Sequence, residues 1–440
     1  MSDFLSILMF PVLILFIFLG VQIAFAMILT ATIFGLMMFG DVTAYQLLTK
    51  IEETASNSIL AAVPLFIFMG AMLEKSGIAE RLFHAIHLWT KRLPGGIGVG
   101  TILLGAIFAA SSGVVGATEA VIGLLTIPIM LKHQYDKRLL SGVICASGSL
   151  GTAIPPSITV IVLGPVAGIS VGQLFNGLLI PGLLMAALFI IYVIALAYFK
   201  PNMAPREHDD VGVPLTERLK VTATAILPAA ALIFTVLGTI LLGLATPTEA
   251  SACGALGAVI LSICYKSCKL KVLWESMLRT VNITAMILLI VMAGNMFAGI
   301  FFATGGMQTV QSLLTGSGFS PHTVLGLILF IAFIAGFLLD MMSVVLIIIP
   351  VAIPIVRLLG FDDIWFCVAF LVVLQTSYLT PPLAPSIFYL RAISPPSITL
   401  KHMYAGVIPF IGIQLFVLFV ILAFPETALW LPRVLGTKDW

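Results

Sequence analysis

The sequence predicts an all-α polytopic membrane protein of two inverted-topology repeats, each with a re-entrant helical hairpin and a broken transmembrane helix. Three observations carry this reading: long apolar runs, basic residues gathered on one side, and proline–proline breaks repeated at matched spacing. Of 440 residues, 60% are apolar and only 9% charged, with mean hydropathy +1.19. Ordinary soluble domains run at about 45–50% apolar and about 25% charged, so these few charges cannot cover a water-facing surface. The same composition excludes intrinsic disorder. Continuous apolar runs such as 227–244 and 324–339 exclude the alternation of a membrane β-barrel. A net charge of +2 gives no electrostatic case for nucleic acid. The five cysteines are scattered, and Cys264 and Cys268 form a CxxxC with no nearby histidine, a weak metal signal. The opening MSDFLSILMF has no basic start and no cleavage site, so it reads as a first membrane helix rather than a signal peptide.

Spanning segments are expected at 4–19, 21–39, 57–73, 138–165, 178–199, 221–243, 250–265, 280–303, 364–392 and 404–424. Two further apolar stretches, 97–131 and 323–357, are too long for one span. Ser111-Ser112-Gly113 interrupts the first, and the run from Gly336 to Ser343 interrupts the second. Half of either is about 16 residues, or about 24 Å at 1.5 Å per residue. That reaches partway across a core about 30 Å thick and back. Both read as re-entrant hairpins.

Loops 74–96, 132–137, 200–220, 266–279 and 393–403, with the adjacent Arg138 and Arg391, hold 17 of the 21 lysines and arginines. Lys50, Arg357, Arg433 and Lys438 fall on the other side. The positive-inside rule puts the first group in the cytoplasm and both termini outside. The halves share one order. Residues 1–200 give scaffold helices (4–73), an amphipathic arm (74–96), a hairpin (97–131), a broken helix (138–165) and a helix (178–199). After a cytoplasmic linker, 201–220, residues 221–440 give helices (221–303), a connector (304–322), a hairpin (323–357), a broken helix (364–392) and a helix (404–424). Pro128 precedes Pro155 by 27 residues, and Pro354 precedes Pro381 by 27. Gly177-Leu-Leu-Ile-Pro181 is answered by Gly406-Val-Ile-Pro409. Paired interrupted helices at corresponding places point to the binding site of a secondary transporter.

The breaks themselves suggest a cation. In GSLGTAIPPS (148–157), two prolines remove two amide donors, and Gly148 and Gly151 permit non-helical backbone. Carbonyls freed at membrane depth cost several kcal/mol each unless satisfied. Hard oxygens of this kind suit sodium without a buried carboxylate. QTSYLTPPLAPS (375–386) repeats the pattern. The hairpin tips add Ser111, Ser112 and Gly113 on one side, and Gly336, Asp340 and Ser343 on the other; Ser157 follows the first break. A plain proline kink held by neighbouring helices is the other reading of either break alone. Half-helix N-termini at the midplane also favour an anionic substrate group.

FAASSGVVGATEAVIGLLTIP (108–128), GSLGTAIPPSI (148–158), GLATPTEA (243–250), YLTPPLAPSIFYL (378–390) and GVQIAFA (20–26) resemble the large, DctM-like membrane subunit of TRAP (tripartite ATP-independent periplasmic) transporters. The resemblance covers nearly the whole chain. It implies sodium-driven import of an organic acid across the bacterial inner membrane by an elevator mechanism, with no organic cofactor. It also implies two partners, a small four-helix membrane subunit and a periplasmic substrate-binding protein. Carried over by motif, one sodium site uses Ser112 with Gly151, Ile154 and Pro156. The other uses Gly336 with Ser377, Thr380 and Leu383. The chain departs from the family pattern at Val114 and Val115 in the first hairpin, and at Ser377 and Pro385 around the second break. PPLAPSIFYLRAISPP resembles the branch linked to 2-oxo acids and other monocarboxylates.

Other residues carry two readings each. Glu119, beyond the first hairpin tip, is either a functional intramembrane carboxylate or a helix-start carboxylate facing the dipole. Asp340 reads as a sodium-site or hairpin-orienting group ahead of a simple cap. Glu249, in TPTE, reads as a capping box. Arg391 reads as a snorkelling anchor ahead of a bidentate substrate contact. His84 and His87 read as surface residues of the arm, and Asn282 and Asn295 as interhelical glue ahead of lining the pathway. A stand-alone anion transporter or channel, needing no binding protein, is the alternative. A channel fits inverted pseudo-symmetry poorly. An intramembrane enzyme is disfavoured because all six histidines fall at loops or ends, and no GxxxxGK[ST] motif encodes an ATP-driven pump.

Overall fold

A computed structural model describes residues 2–112, 115–206, 214–316 and 318–436, and among these the chain is helical throughout with no strand. The first half opens with α1 (Ser2–Phe18), α2 (Ile23–Phe39), α3 (Val42–Ala55) and α4 (Ala62–Lys75). The arm follows as α5 (Ile78–Thr90), and the first hairpin as α6 (Gly96–Ser112) and α7 (Val115–Lys132). The first broken helix is α8 (Lys137–Ala153) and α9 (Ile158–Ala167), followed by α10 (Val171–Phe199). In the second half, α11 (Leu215–Ile233) passes through a π turn, Phe234–Gly238, into α12 (Thr239–Leu241). Then come α13 (Pro247–Cys264), α14 (Leu270–Ala303) and the connector α15 (Gly306–Gly316). The second hairpin is α16 (Pro321–Leu338) and α17 (Met341–Leu358). The second broken helix is α18 (Asp363–Leu379) and α19 (Pro385–Ile393), and α20 (Leu400–Ala423) and α21 (Glu426–Leu435) finish the chain.

Local chemistry sets the boundaries. Thr246, Pro247 and Glu249 form the capping box expected of them: Glu249 N–H donates to Thr246 Oγ1 at 3.2 Å and Thr246 N–H to Glu249 Oε2 at 2.8 Å. Asp136 and Asp362 accept from the first amides of α8 and α18. Both broken spans stop where the doubled prolines begin, at residues 154–157 and 380–384.

Several elements differ from the sequence expectation, for one reason. Apolarity marks depth in the bilayer, not the extent of a helix. α14 starts ten residues before the expected 280, because Leu270–Arg279 stays helical while carrying charge. α10 starts seven residues before 178. Two helices, α3 and α21, lie outside the expected spans; each has only a narrow buried stripe. The apolar face of the arm helix α5 (Ile78, Leu82, Phe83, Ile86) is buried, and the helix packs on α6 and α11. His84 is exposed, and His87 stacks on Phe83 with ring centroids 5.8 Å apart.

The helices pack as two groups. One contains α2, α4, α13 and α14; the other contains both hairpins, both broken helices, α10 and α20. At the centre of the second group, α8 is buried from Leu139 to Ala153 and α18 from Trp365 to Ser377. The packing is reciprocal between the halves: α9 lies on α17, and α19 lies on α7. A polar knot joins them. Gln375 Nε2 of α18 and Gln414 Nε2 of α20 both donate to Ser149 Oγ of α8, at 3.2 and 3.1 Å. In the other group, Asn295 Nδ2 donates to Thr54 Oγ1 at 2.9 Å, the glue role expected of it. Asn282 is exposed on α14.

Close approach of α8 and α20 depends on missing side chains. A Cβ at Gly142 would lie 2.1 Å from the Gly406 carbonyl oxygen, and one at Gly406 would lie 2.1 Å from the Arg138 carbonyl oxygen. Gly412, on the same helix α20, has nothing within 4 Å of such a Cβ. Gly142→Ala is therefore expected to lower the melting temperature of the purified protein by forcing the backbones apart, a cost of about 1–3 kcal/mol. Gly412→Ala, relieved of glycine's entropy in a helix, is expected to leave it unchanged or raise it. Equal shifts for the two variants would contradict the packing.

Candidate functional site

A cavity of about 420 Å³ lies where five elements converge. Gly116 comes from the return leg of the first hairpin, and Thr152, Ile158 and Thr159 flank the first break. Asp340, Met341 and Met342 form the second hairpin tip, and Tyr378 and Tyr389 flank the second break. The remaining wall is α14, through Arg279, Ile283, Met286 and Ile287. Each element is placed by a local cause. The prolines end α8 and α18 at the cavity, and Thr159 Oγ1 contacts Met341 Sδ at 3.6 Å, tying α9 to the opposite hairpin. Gly116 lets the Tyr389 ring sit against the hairpin backbone; a Cβ there would lie 2.8 Å from the ring.

Among the described residues, the cavity is lined by one cation and one carboxylate, Arg279 and Asp340. Arg279 is the one cation lining this cavity among the described residues, and its Nη1 pairs with Glu74 Oε2 at 2.7 Å. The first turns of α9 and α17 also face the cavity, presenting the positive ends of two helix dipoles. Asp340 partly offsets the second. It caps α17, with Oδ2 accepting from Met342 N–H at 3.0 Å and Ser343 N–H at 3.3 Å, while the Ser343 hydroxyl donates to Oδ1. Of the readings open to Asp340, the contacts seen are those of the simple cap, the one placed second.

The first predicted cation set is partly described. α6 and α8 run in the same sense, with Gly98 beside Val143 and Gly105 pressed on Ser147. Hence the end of α6, with Ser112, lies at the same end as the break. The side chains of Ser111 and Ser112, and all of Gly113, lie outside the described residues. Gly151 sits in the last turn of α8, and Ile154 and Pro156 form the break, all buried. Residues 155 and 156 should supply amides to the Gly151 and Thr152 carbonyls, and both are proline. Ser157, at the N-cap of α9, is fully buried, and its hydroxyl has no hydrogen-bond partner among the described residues.

The second set is more open. Gly336 and Ser377 are brought together: a Cβ at Gly336 would lie 2.1 Å from Ser377 Oγ. The Ser377 and Thr380 hydroxyls donate back along α18, to the Leu374 and Thr376 carbonyls, each at 2.7 Å. Leu383 is 39% exposed, and the Tyr404 hydroxyl donates to the Pro382 carbonyl at 3.2 Å.

Glu119 departs from its helix-start reading. It is fully buried, and the Ser386 hydroxyl donates to its Oε1 while Oε2 has no partner among the described residues. Gly148 makes room for it, since a Cβ there would lie 1.8 Å from Glu119 Cγ. The carboxylate thus joins the first hairpin to the second broken helix across the halves. Arg391 stays outside the cavity, exposed, with Nη1 donating to the Ile398 carbonyl at 2.7 Å. Sequence reading missed Arg279 as a cavity residue. It stood among the cytoplasmic charges, although it precedes the apolar run of its helix by a single position.

The family model described as "Tripartite ATP-independent periplasmic transporter, DctM component" matches residues 10–427. The C4-dicarboxylate TRAP transporter large permease protein DctM of Pseudomonas aeruginosa is 30% identical over 404 residues, 91% of this chain and 92% of its own. The protein of that name from Rhodobacter capsulatus is 29% identical, with 98% and 99% covered. The sialic acid TRAP transporter large permease protein SiaM of Vibrio cholerae is 27% identical, with 95% and 96% covered. Among solved structures, the Alcanivorax borkumensis YdaH transporter, of unusual topology, superposes with TM-score 0.64 at 14% identity, over 97% of this chain and 99% of that one. Neisseria gonorrhoeae MtrF does so with TM-score 0.62 at 12% identity, over 90% and 85%. These two likenesses are of fold. With the family match running through both hairpins and both breaks, the chain belongs to the DctM component family of tripartite ATP-independent periplasmic transporters, as a multi-pass membrane transport subunit.

Proposed function

We propose that this subunit imports an organic acid anion across the bacterial inner membrane, coupled to sodium, by an elevator motion of the hairpin group against the α2–α4–α13–α14 group. The observation that carries the proposal is the convergence of two proline-broken helices and the second hairpin tip on a cavity walled by Arg279. Arg279 and two helix N-termini suit a carboxylate. The proline-freed carbonyls of Gly151 and Thr152, with the unpartnered Ser157 hydroxyl close by in sequence, suit a small hard cation. Ser112, Ile154 and Pro156 complete the first sodium site on this reading, and Gly336, Ser377, Thr380 and Leu383 form the second. The matched element order and the reciprocal packing of α9 on α17 and α19 on α7 support two inverted repeats, 1–200 and 221–440, joined by 201–220.

The working complex includes a small four-helix membrane subunit and a periplasmic substrate-binding protein. The word tripartite in the family description supports this. So does a permease named DctMQ for isethionate in Oleidesulfovibrio alaskensis, of which the match covers only 58%. Relatives are named for C4-dicarboxylates, sialic acid and isethionate, so an acidic substrate fits the family while its identity varies. The motif resemblance favours a 2-oxo acid or other monocarboxylate here.

Uptake into proteoliposomes holding all three proteins, with and without an inward sodium gradient, tests the coupling. Import is expected to require the gradient; import indifferent to it removes sodium from the mechanism. Ser112→Ala and Thr380→Ala are each expected to raise the sodium concentration for half-maximal uptake. Unchanged sodium dependence in both would overturn the ligand assignment alone.

Arg279→Gln is expected to raise the half-saturating substrate concentration on the order of tenfold, as for loss of a charged hydrogen bond. Arg279→Lys should recover only part of it, since the planar fork is lost. Glu74→Gln breaks the same ion pair from its other end. If Glu74→Gln weakens substrate as much as Arg279→Gln does, the arginine serves the scaffold and not the anion.

A further inference from the structure

The face of α14 that walls the Arg279 cavity continues along the helix. Arg279, Ile283, Met286 and Ile287 border that cavity, and Val291, Asn295, Gly299 and Phe302 border a second one of about 270 Å³. The steps of three and four residues put them on one stripe. From Arg279 to Phe302 the stripe is about 35 Å long, the depth of a bilayer core. α9 shows the same continuity: Ile158 and Thr159 face the first cavity, Val162, Pro165 and Val166 the second. Between the cavities along α14 lies one turn, residues 288–290, in which Ile290 is buried, and just beyond it Gly294 lets Leu346 of α17 close against α14 beside the second cavity. The two cavities therefore lie on one path between α9 and α14, on either side of a seal.

The second cavity has its own cation. Lys50 of α3 lines it, with the stem lying over Gly299; a Cβ there would lie 3.0 Å from Lys50 Cε. Lys50 Nζ pairs with Glu53 Oε2 at 2.7 Å, and the Thr54 hydroxyl accepts from Asn295. Asn57 also lines this cavity. Each end of the α14 stripe thus carries one cation held by one carboxylate: Arg279 with Glu74, and Lys50 with Glu53.

We infer that the Lys50 cavity is a second anion-receiving site on the same path, at the membrane face opposite Arg279. Its ligand is the carboxylate of the transported acid, which competes with Glu53 for the Lys50 ammonium. Asn57 and Asn295 offer amide donors beside it. This rests on the reading of the Arg279 cavity as the substrate site. It adds where the anion is held before the seal opens.

The test needs no knowledge of the substrate and no transport. Cys253, Cys264 and Cys268 are replaced by serine, leaving Cys145 and Cys367, which are buried. A single reporter thiol is then introduced as Phe302→Cys or Met286→Cys in the assembled transporter. Membrane vesicles of both orientations are treated with impermeant methanethiosulfonates, one with an anionic sulfonate and one with a cationic trimethylammonium group. The thiol at 302 is expected to react from one face and the thiol at 286 from the other. At 302, Lys50→Gln should lower the ratio of anionic to cationic modification rates about threefold or more. Glu53→Gln should raise it, and Lys50→Arg should preserve it. Unaltered labelling at 286 confirms that each variant is folded. An unchanged ratio in Lys50→Gln, or labelling of both thiols from the same face, would overturn the inference. Sodium coupling and the dependence of substrate affinity on Arg279 are read separately, by uptake.

Discussion

A main-chain carbonyl inside a bilayer has no water to turn to, and a proline four residues on cannot satisfy it. Gly151 and Thr152 are placed in that position by Pro155 and Pro156, and Tyr378 by Pro382, while the Ser377 carbonyl, four residues before Pro381, accepts instead from the Thr380 N–H at 3.1 Å. Much of the surrounding packing follows from keeping these groups away from lipid. Gly182 lets α10 come against the first break so closely that a Cβ there would lie 2.4 Å from the Ala153 carbonyl oxygen. Residues 151–160 are all buried. The second break is covered less fully: Pro382 and Leu383 are exposed, and Tyr404 supplies a hydroxyl to the Pro382 carbonyl. The first break is thus protected by burial, and the second by local and borrowed donors to the Ser377 and Pro382 carbonyls.

Which features were legible in the sequence follows from which ones leave a local mark. Proline pairs, a capping box and apolar runs act on the chain within a few residues, so both breaks, both hairpins and the start of α13 can be read directly. The arm α5 was legible too, because its apolar face repeats at helical spacing. Contacts between distant segments leave no such trace. Ser149 looked like one more small residue of an apolar span, yet it accepts from two glutamine amides more than 220 residues away. Arg279 counted as a loop charge, because hydropathy places it outside the span. Only the observed length of α14 carries it to the cavity wall. Glu119 stands out in the sequence as a carboxylate at membrane depth, but its burial is set by Gly148 and Ser386, residues on two other helices.

Those long-range polar contacts share a location. Glu119 with Ser386, and Ser149 with Gln375 and Gln414, all cross from the first half to the second within the hairpin group. Interhelical hydrogen bonds in membranes are individually modest, typically about 1 kcal/mol. Their value here is geometric, because each fixes a register that apolar side chains alone would let slide. Gly142 and Gly406 add a backbone contact that admits no side chain between α8 and α20. The group is thereby braced by these contacts, whereas its contacts to α14 are mainly apolar packing, with Leu346 against Gly294 beside the second cavity.

That contrast bears on how access could change sides. A 34-residue helix that lines both cavities cannot open one by bending without disturbing the other. It is also pinned at both ends, by Glu74 on Arg279 and by Thr54 on Asn295. The seal is one turn of apolar contact with no hydrogen bond holding it among the described residues. Apolar surfaces slide past each other at little cost when the buried area is conserved, because dispersion and hydrophobic terms are non-directional. On the proposed elevator motion, a braced body passing along this stripe would keep the proline-freed carbonyls covered throughout. Local unwinding of α14 would instead free further carbonyls at membrane depth, and the same physics that built the two breaks weighs against it.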